Sequence, residues 1–310
     1  MKPLPQCIFV YLFSLVTVAG GMVCSAAQLP TKHEYQKTLR NYLATLTVED
    51  FELAVEPIGF SRGWFEDDEL LFRTWVLHQK IPAAVVTGIV RSPEYFTLDA
   101  IEADDGIRMT VGRAKWVSAE ASAWWTTYDY RGNPYFESIP LRRRAFVAAA
   151  VDMVMLDDWH EQGKAKRADW LGGTLTWLAY TYTVVRDELP EDVQQAYETG
   201  LRKLASRLMA WGPTGTNDNI DVQALTALWY TSKALNDPEF TKAARQHITT
   251  KGLRVYHPSG MIYDAGGLEA SYNGIAYYFL TWAALASDWP ELNELHAKAS
   301  RLKSHLSLPD

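Results

Sequence analysis

From Leu141 onward the chain reads as long helical segments separated by short breaks, and every second segment is apolar nearly all round. The runs are Leu171-Gly-Gly-Thr-Leu-Thr-Trp-Leu-Ala-Tyr180, Val222-Gln-Ala-Leu-Thr-Ala-Leu-Trp-Tyr230 and Ile275-Ala-Tyr-Tyr-Phe-Leu-Thr-Trp-Ala-Ala-Leu285. The segments between them are amphipathic and carry charges such as Glu198, Arg202, Lys203, Lys242 and Arg245. A helix apolar on all sides must be buried, whereas an amphipathic one lies outside it. Inner and outer helices alternating through short loops build antiparallel hairpins arranged in an arc, the α/α toroid. A plain helical bundle or an α-solenoid is the alternative.

The pattern predicts helices over 141–161 (ending at Gly163), Asp169–Asp187, Pro190–Met209, Asn219–Leu235, from Asp237-Pro238-Glu239 onward, Leu268–Ser287, and from Pro290. Proline suits a first helical turn, and glycine marks a stop. A Gly- and Tyr-rich loop fills 252–267. Three hairpins make an incomplete toroid. Upstream, 33–56 reads as one or two short helices, with Thr47 and Asp50 as a capping box opening the second. Leu70, Leu71, Trp75 and Val76 form an apolar stripe over 66–79. From Ile81 to Pro140, β-branched runs, turn signals and scattered aromatics predict irregular structure with short strands, for example around 107–112. Segments 28–140 and 141–310 are read as one continuous domain.

Residues 1–27 have the pattern of a signal peptide. Lys2 precedes an apolar stretch from Ile8 to Ala19, which is short for a membrane span, and Ser25-Ala26-Ala27 offers a cleavage site before Gln28. An uncleaved membrane anchor is the alternative; lipidation at Cys24 is disfavoured by the bulky Val23 beside it. Both cysteines, Cys7 and Cys24, fall in this segment, so the mature chain holds no disulfide and depends on core burial. With 48% hydrophobic residues it has the material. The reading is of an exported protein, periplasmic or extracellular, with no stable membrane anchor after cleavage. A net charge of −7 argues against nucleic acid as a partner, though not against an anionic sugar held by a local arginine cluster.

In such an arc every inner helix runs the same way, so their N-termini gather on one face with backbone N–H groups and positive dipole ends turned outward. One start reads Arg167-Ala-Asp169-Trp170, the next Asn217-Asp218-Asn219, and the third Asp264-Ala-Gly-Gly-Leu-Glu269-Ala-Ser-Tyr272-Asn273. Asp169 and the three residues 217–219 also suit plain N-caps. Glu269 and Tyr272 are three apart on one helix face, and a carboxylate there calls for a partner. His257 is the histidine in a loop near this rim, a proton-transfer candidate or a surface residue. The run Arg142-Arg143-Arg144 suits a solvated helix start or an anion site. Trp116, Trp124, Trp125, Tyr128, Tyr130, Tyr135 and Phe136 are more aromatics than a short irregular segment needs, and Trp124 and Trp125 are candidates for stacking on sugar, with core packing as the other role. HExxH, paired cysteines, P-loop and dinucleotide fingerprint are all absent from the sequence, so neither metal nor cofactor is expected.

The stretch His257-Pro-Ser-Gly-Met-Ile-Tyr-Asp264-Ala-Gly-Gly-Leu-Glu269-Ala-Ser-Tyr272-Asn273-Gly resembles the loop and inner helix of toroid polysaccharide lyases of the heparinase- and alginate-lyase-like kind. Thr216-Asn217-Asp218-Asn219 resembles the Asn-rich start of an earlier inner helix in those enzymes, but Asp218 and Asn219 stand where a histidine often follows. The resemblance spans roughly 144–290 and lacks the C-terminal β-sandwich common among such lyases. It implies β-elimination on a uronate-containing polysaccharide or oligosaccharide. The proton α to the carboxylate is very weakly acidic, so the carboxylate must be neutralised before a base and an acid act. Asn217 or Asn219 would neutralise, and Tyr272 and His257 would share the base and acid roles. A tyrosine base, titrating near ~10 when free, needs a cation such as Arg167 or Arg254. Asp169, Trp170, Asp218 and Asn273 complete the expected substrate-binding set. Two other readings stand: a glycoside hydrolase with Glu269 as acid and Asp218 or Asp169 as base, and a non-catalytic exported glycan-binding protein.

Overall fold

The structure, a computed structural model, describes residues 32–54, 92–103, 119–120, 122–129, 133–161, 168–214, 218–249, 259–261, 263–264, 267–268 and 270–306. The signal segment, the helix expected over 66–79 and the strand expected around 107–112 lie outside the described residues.

The protein is mainly helical. Helix α1 covers Lys32–Leu43 and α2 Leu98–Ala103. Single 3₁₀ segments occupy Val48–Phe51, Pro93–Phe96 and Ser122–Thr127. The long helices are α3 (Ile139–Glu161), α4 (Ala168–Val185), α5 (Glu191–Trp211), α6 (Asp218–Leu235), α7 (Pro238–Thr249), α8 (Ala270–Ala286) and α9 (Pro290–Leu306). Strands β1 (Tyr263–Asp264) and β2 (Gly267–Leu268) pair antiparallel just before α8.

Three expectations need correcting. The capping pair is present, with the Thr47 N–H donating to Asp50 Oδ2 at 2.8 Å, but it opens one 3₁₀ turn rather than a helix. Among the described residues of 81–140 the regular structure is short helix, not strand. Leu268 belongs to β2, so α8 begins at Ala270.

Contacts fix the helix directions. Tyr180 of α4 meets Tyr230 of α6 with ring centroids 5.7 Å apart, and Tyr230 meets Trp282 of α8 at 6.4 Å. Nearer the helix starts, Gly172 of α4 lies so close to α6 that a Cβ there would come within 3.0 Å of the Ala224 backbone nitrogen. Early residues meet early ones and late meet late, so α4, α6 and α8 run parallel. Each is followed by a returning helix. Tyr182 donates to Glu198 between α4 and α5, His247 faces Asp221 between α7 and α6, and Thr281 meets His296 between α8 and α9.

Helix α6 is the centre, buried at every position from Asp221 to Ser232. Its Thr226 hydroxyl lies 2.8 Å from Val222 O and 3.1 Å from Phe279 O, so one proton is shared between its own helix and α8. Trp177 of α4 reaches past α6 to Trp282 (5.0 Å) and Tyr278 (6.1 Å) of α8. Helix α8, expected to be buried all round, is open on one side, with Ile275 42% and Leu285 79% exposed.

The N-terminal elements pack onto the hairpins through ionic contacts. Buried Asp157 of α3 accepts from the Tyr35 hydroxyl at 2.6 Å and from Lys203 Nζ at 3.0 Å, and lies 2.7 Å from Arg207. The arginine run is held within the molecule. Arg142 pairs with Glu188 and Arg143 with Asp50, both at 2.6 Å, while buried Arg144 donates from Nε and Nη2 to the Phe51 carbonyl.

Gly260 docks the loop before α8 onto α9. Its φ of +90° is one that L side chains rarely adopt, and a Cβ would sit 2.4 Å from the backbone oxygen of Lys298. Gly260→Ala is expected to destabilise by about 3 kcal/mol or more, since φ strain adds to a backbone overlap that no rotamer relieves. Denaturant titration checks it; a loss under about 1 kcal/mol would mean the loop lifts away freely.

Candidate functional site at the starts of the inner helices

With α4, α6 and α8 parallel, their N-termini share one face. Asp169 and Trp170 fall in the first turn of α4, Asp218 opens α6, and Tyr272 falls in the first turn of α8. The side chains of these four, and residues Arg167, Asn217, Arg254, His257 and Glu269 altogether, lie outside the described residues. Asn219 and Asn273 are described. Both are only 5% exposed, in the first turns of α6 and α8.

Asn219 has the most telling environment. Its amide oxygen is buried and meets no hydrogen-bond donor among the described residues. Its backbone carbonyl accepts from Gln223 Nε2 at 3.1 Å, one turn further along. The Gln223 amide fits because residue 173 is glycine: a Cβ there would lie 2.7 Å from Gln223 Oε1 and 3.5 Å from the Phe279 ring. Gly173, Gln223 and Phe279 thus close the space between the three inner helices just below the rim. A buried amide oxygen without a donor costs about 1–3 kcal/mol, which sets Asn219 apart from Asn273 at this rim.

Sequence reading passed over the support behind this rim. Asp221, 1% exposed, accepts from the Thr214 N–H and hydroxyl, each at 2.8 Å, and faces His247 Nδ1 at 3.3 Å. This ties the chain leading into α6, and the end of α7, to the first turn of α6. The signal available was a lone carboxylate followed by an unbroken apolar run, a charge that burial obliges to find donors.

The two tryptophans separate. Trp125 is buried, edge-on to Trp124 and Tyr135, and serves the core rather than a sugar. Trp124 is half-buried, stacked on Tyr128 at 5.2 Å and edge-on to Trp282 at 6.1 Å. It stands far from the inner-helix starts, beside the late part of α8.

Burial raises the pKa of Tyr35, Tyr180, Tyr182, Tyr197, Tyr230 and Tyr278, with neighbouring acids adding to it at Tyr35 and Tyr182. Burial lowers His160 and His296. The unfolded tyrosines lose their protons near ~10 while the folded ones keep theirs, so stability is full below that pH and falls as pH rises through it. The histidines act at the other end: unfolded, they gain protons below about 6.5 before the folded ones do, so stability falls as pH drops through that value. Urea midpoints measured from pH 5 to 11 should therefore peak between these limits. A midpoint unchanged up to pH 11 would contradict the tyrosine burial.

A separate pocket of about 140 Å³ lies beside Arg142, Arg143 and Glu188, with both arginines already paired. Among the described residues no group of three or more His, Cys, Asp or Glu is placed to hold a metal, and no helix is long and apolar enough to cross a membrane. Comparison with protein-family models, with curated proteins and with solved structures returned no match.

Proposed function

We propose that this chain is an exported polysaccharide lyase that cleaves a uronate-containing polysaccharide by β-elimination at the N-terminal face of α4, α6 and α8. The carrying observation is Asn219, buried in the first turn of α6 with its amide oxygen unclaimed by any described residue. The oxygen and nitrogen of an amide exchange places by a flip, so this group can present N–H to a uronate carboxylate or accept from a sugar hydroxyl. The parallel inner helices add their positive ends to the same face, which lowers the cost of an enolate-like charge. In this reading the hairpins form an arc of an α/α toroid, supported by the meeting of α4 and α8 aromatics past α6. Asn217 assists Asn219, Tyr272 and His257 exchange the proton, Arg167 or Arg254 lowers the tyrosine pKa, and Glu269 orients the group beside it. Export follows from the pattern of residues 1–27, with the mature chain starting at Gln28.

The test is to incubate residues 28–310 with polygalacturonate, alginate and heparan sulfate and follow the absorbance of unsaturated uronate. Product is expected from at least one polymer. Asn219→Ala should lower both affinity and rate, whereas a plain helix cap would cost about 1 kcal/mol of stability and leave activity alone. New reducing ends without absorbance would replace the lyase by a hydrolase using Glu269 with Asp218 or Asp169. Binding without turnover would leave a glycan-binding protein.

A further inference from the structure

The inner helices carry a second chemical surface, remote from their starts. Tyr180, Tyr230 and Trp282 each lie about 18 Å beyond the beginnings of their helices at Ala168, Asp218 and Ala270, close to the C-terminal ends. They meet edge to face, with Tyr180 5.3 Å from Trp282 and 5.7 Å from Tyr230. The 3₁₀ turn Ser122–Thr127 brings Trp124 against Trp282, and Tyr128 stacks on Trp124. Trp124, Tyr128, Tyr180 and Trp282 are half-buried residues. The exposed Thr127 hydroxyl lies 3.4 Å from the Tyr180 hydroxyl at the edge of the group.

Aromatic faces bordered by hydroxyls match a pyranose ring, which offers C–H groups on its face and hydroxyls around its rim. The charge of the sugar can also be argued. This surface sits near the C-terminal ends of three parallel helices, where unsatisfied carbonyls form the negative pole of each dipole. Asp129 follows Tyr128, Asp187 follows α4 and Asp288 follows α8, while Glu188 is paired with Arg142 and Arg186 lies 3.7 Å from Glu198. A uronate is repelled there, whereas a neutral sugar is not. We infer that Trp124, Tyr128, Tyr180 and Trp282 form a binding surface for a neutral oligosaccharide, distinct from the rim at the inner-helix starts. This surface stands apart from the rim, and its ligand does not depend on whether the rim is a lyase centre.

The experiment is a tryptophan-fluorescence titration of residues 28–310 with cellohexaose, maltohexaose, xylohexaose and mannohexaose, and with a galacturonate hexamer for comparison. A saturable change is expected with at least one neutral hexamer. Trp124→Ala should weaken that binding about tenfold, while Trp124→Phe, which keeps an aromatic face, should hold it within about threefold. Thr127→Val removes a hydroxyl that borders the surface and donates to the Trp124 carbonyl at 2.8 Å; with a melting curve matching the parent it should weaken binding at least threefold, roughly the contribution of one hydrogen bond. Asn219→Ala should leave the neutral-sugar response unchanged, which separates this surface from the rim. Silence with every neutral hexamer overturns the inference, as does unchanged affinity in a folded Trp124→Ala or in Thr127→Val. A preference for the galacturonate hexamer abolished by Trp124→Ala would overturn the assignment of a neutral ligand.

Discussion

Asp157→Ala is expected to lower the unfolding free energy by about 3–5 kcal/mol, the usual consequence of removing one member of a buried ionic group. The carboxylate is wholly buried; the Tyr35 hydroxyl of α1 and Lys203 of α5 donate to it, and Arg207 of α5 forms an ion pair with it at 2.7 Å. Without it the Tyr35 hydroxyl loses its acceptor in a buried position, and among the described residues the two cations keep Glu161, at 2.9 and 3.8 Å. At about 2–4 °C per kcal/mol for a chain of this size, the melting temperature should fall by roughly 10 °C. Asp157→Asn retains an acceptor for Tyr35 and should lose less. A drop below about 1 kcal/mol in urea titrations of the alanine variant would show that Lys203 and Arg207 turn outward to water and that α1 stays docked by other contacts.

Tyr272→Phe carries the largest expected effect on chemistry. If the proposed lyase reaction takes place at the rim, removing the hydroxyl should reduce eliminative turnover by about 10²–10⁴-fold, the range for losing a general acid or base. Stability should change by no more than about 0.5–1.5 kcal/mol, the worth of one hydrogen bond. The variant is therefore informative only when its melting curve and its unsaturated-uronate production are measured on the same preparation. Turnover equal to the parent would remove tyrosine from the mechanism and leave His257 to be tested. Equal losses of turnover and of folded protein would show that position 272 supports structure instead.

The helical frame was legible because periodicity and helix stops are local. Pro190, Pro238 and Pro290 mark the starts of α5, α7 and α9 to within a residue. The apolar stretch from Val222 correctly foretold a helix enclosed on every side. The same inference failed for α8, since apolar residues around a helix do not reveal whether a neighbour is present on each flank. Leu285 reads like Leu228 in the sequence, yet one is exposed and the other buried. The short helical turns at Pro93–Phe96 and Ser122–Thr127 are too brief to set a period, so the sequence there read as irregular. Arg144 looked like its two half-buried neighbours because its partner, the carbonyl of Phe51, is 93 residues away. Asp221 and His247 were missed for the same reason: each belongs to a separate helix, and only their packing makes a pair. At the candidate site the common direction of the inner helices could be reasoned out, whereas the orphaned amide of Asn219 needed coordinates.

The unequal enclosure of α6 and α8 has a dynamic consequence. Local opening costs least where few contacts must be broken, and most where an element is enclosed by others. Amides of α6 cannot reach solvent unless α4, α7 and α8 all part from it, which amounts to undoing the whole assembly. The hairpin of α8 and α9 stands differently: α8 leans on α6 from one flank and leaves Ile275 and Leu285 to water on the other. That hairpin can breathe as a unit while α4 and α6 hold still. Asn219 therefore sits on the side of the rim that opens at the greatest cost, and Asn273 on the side that opens at the least.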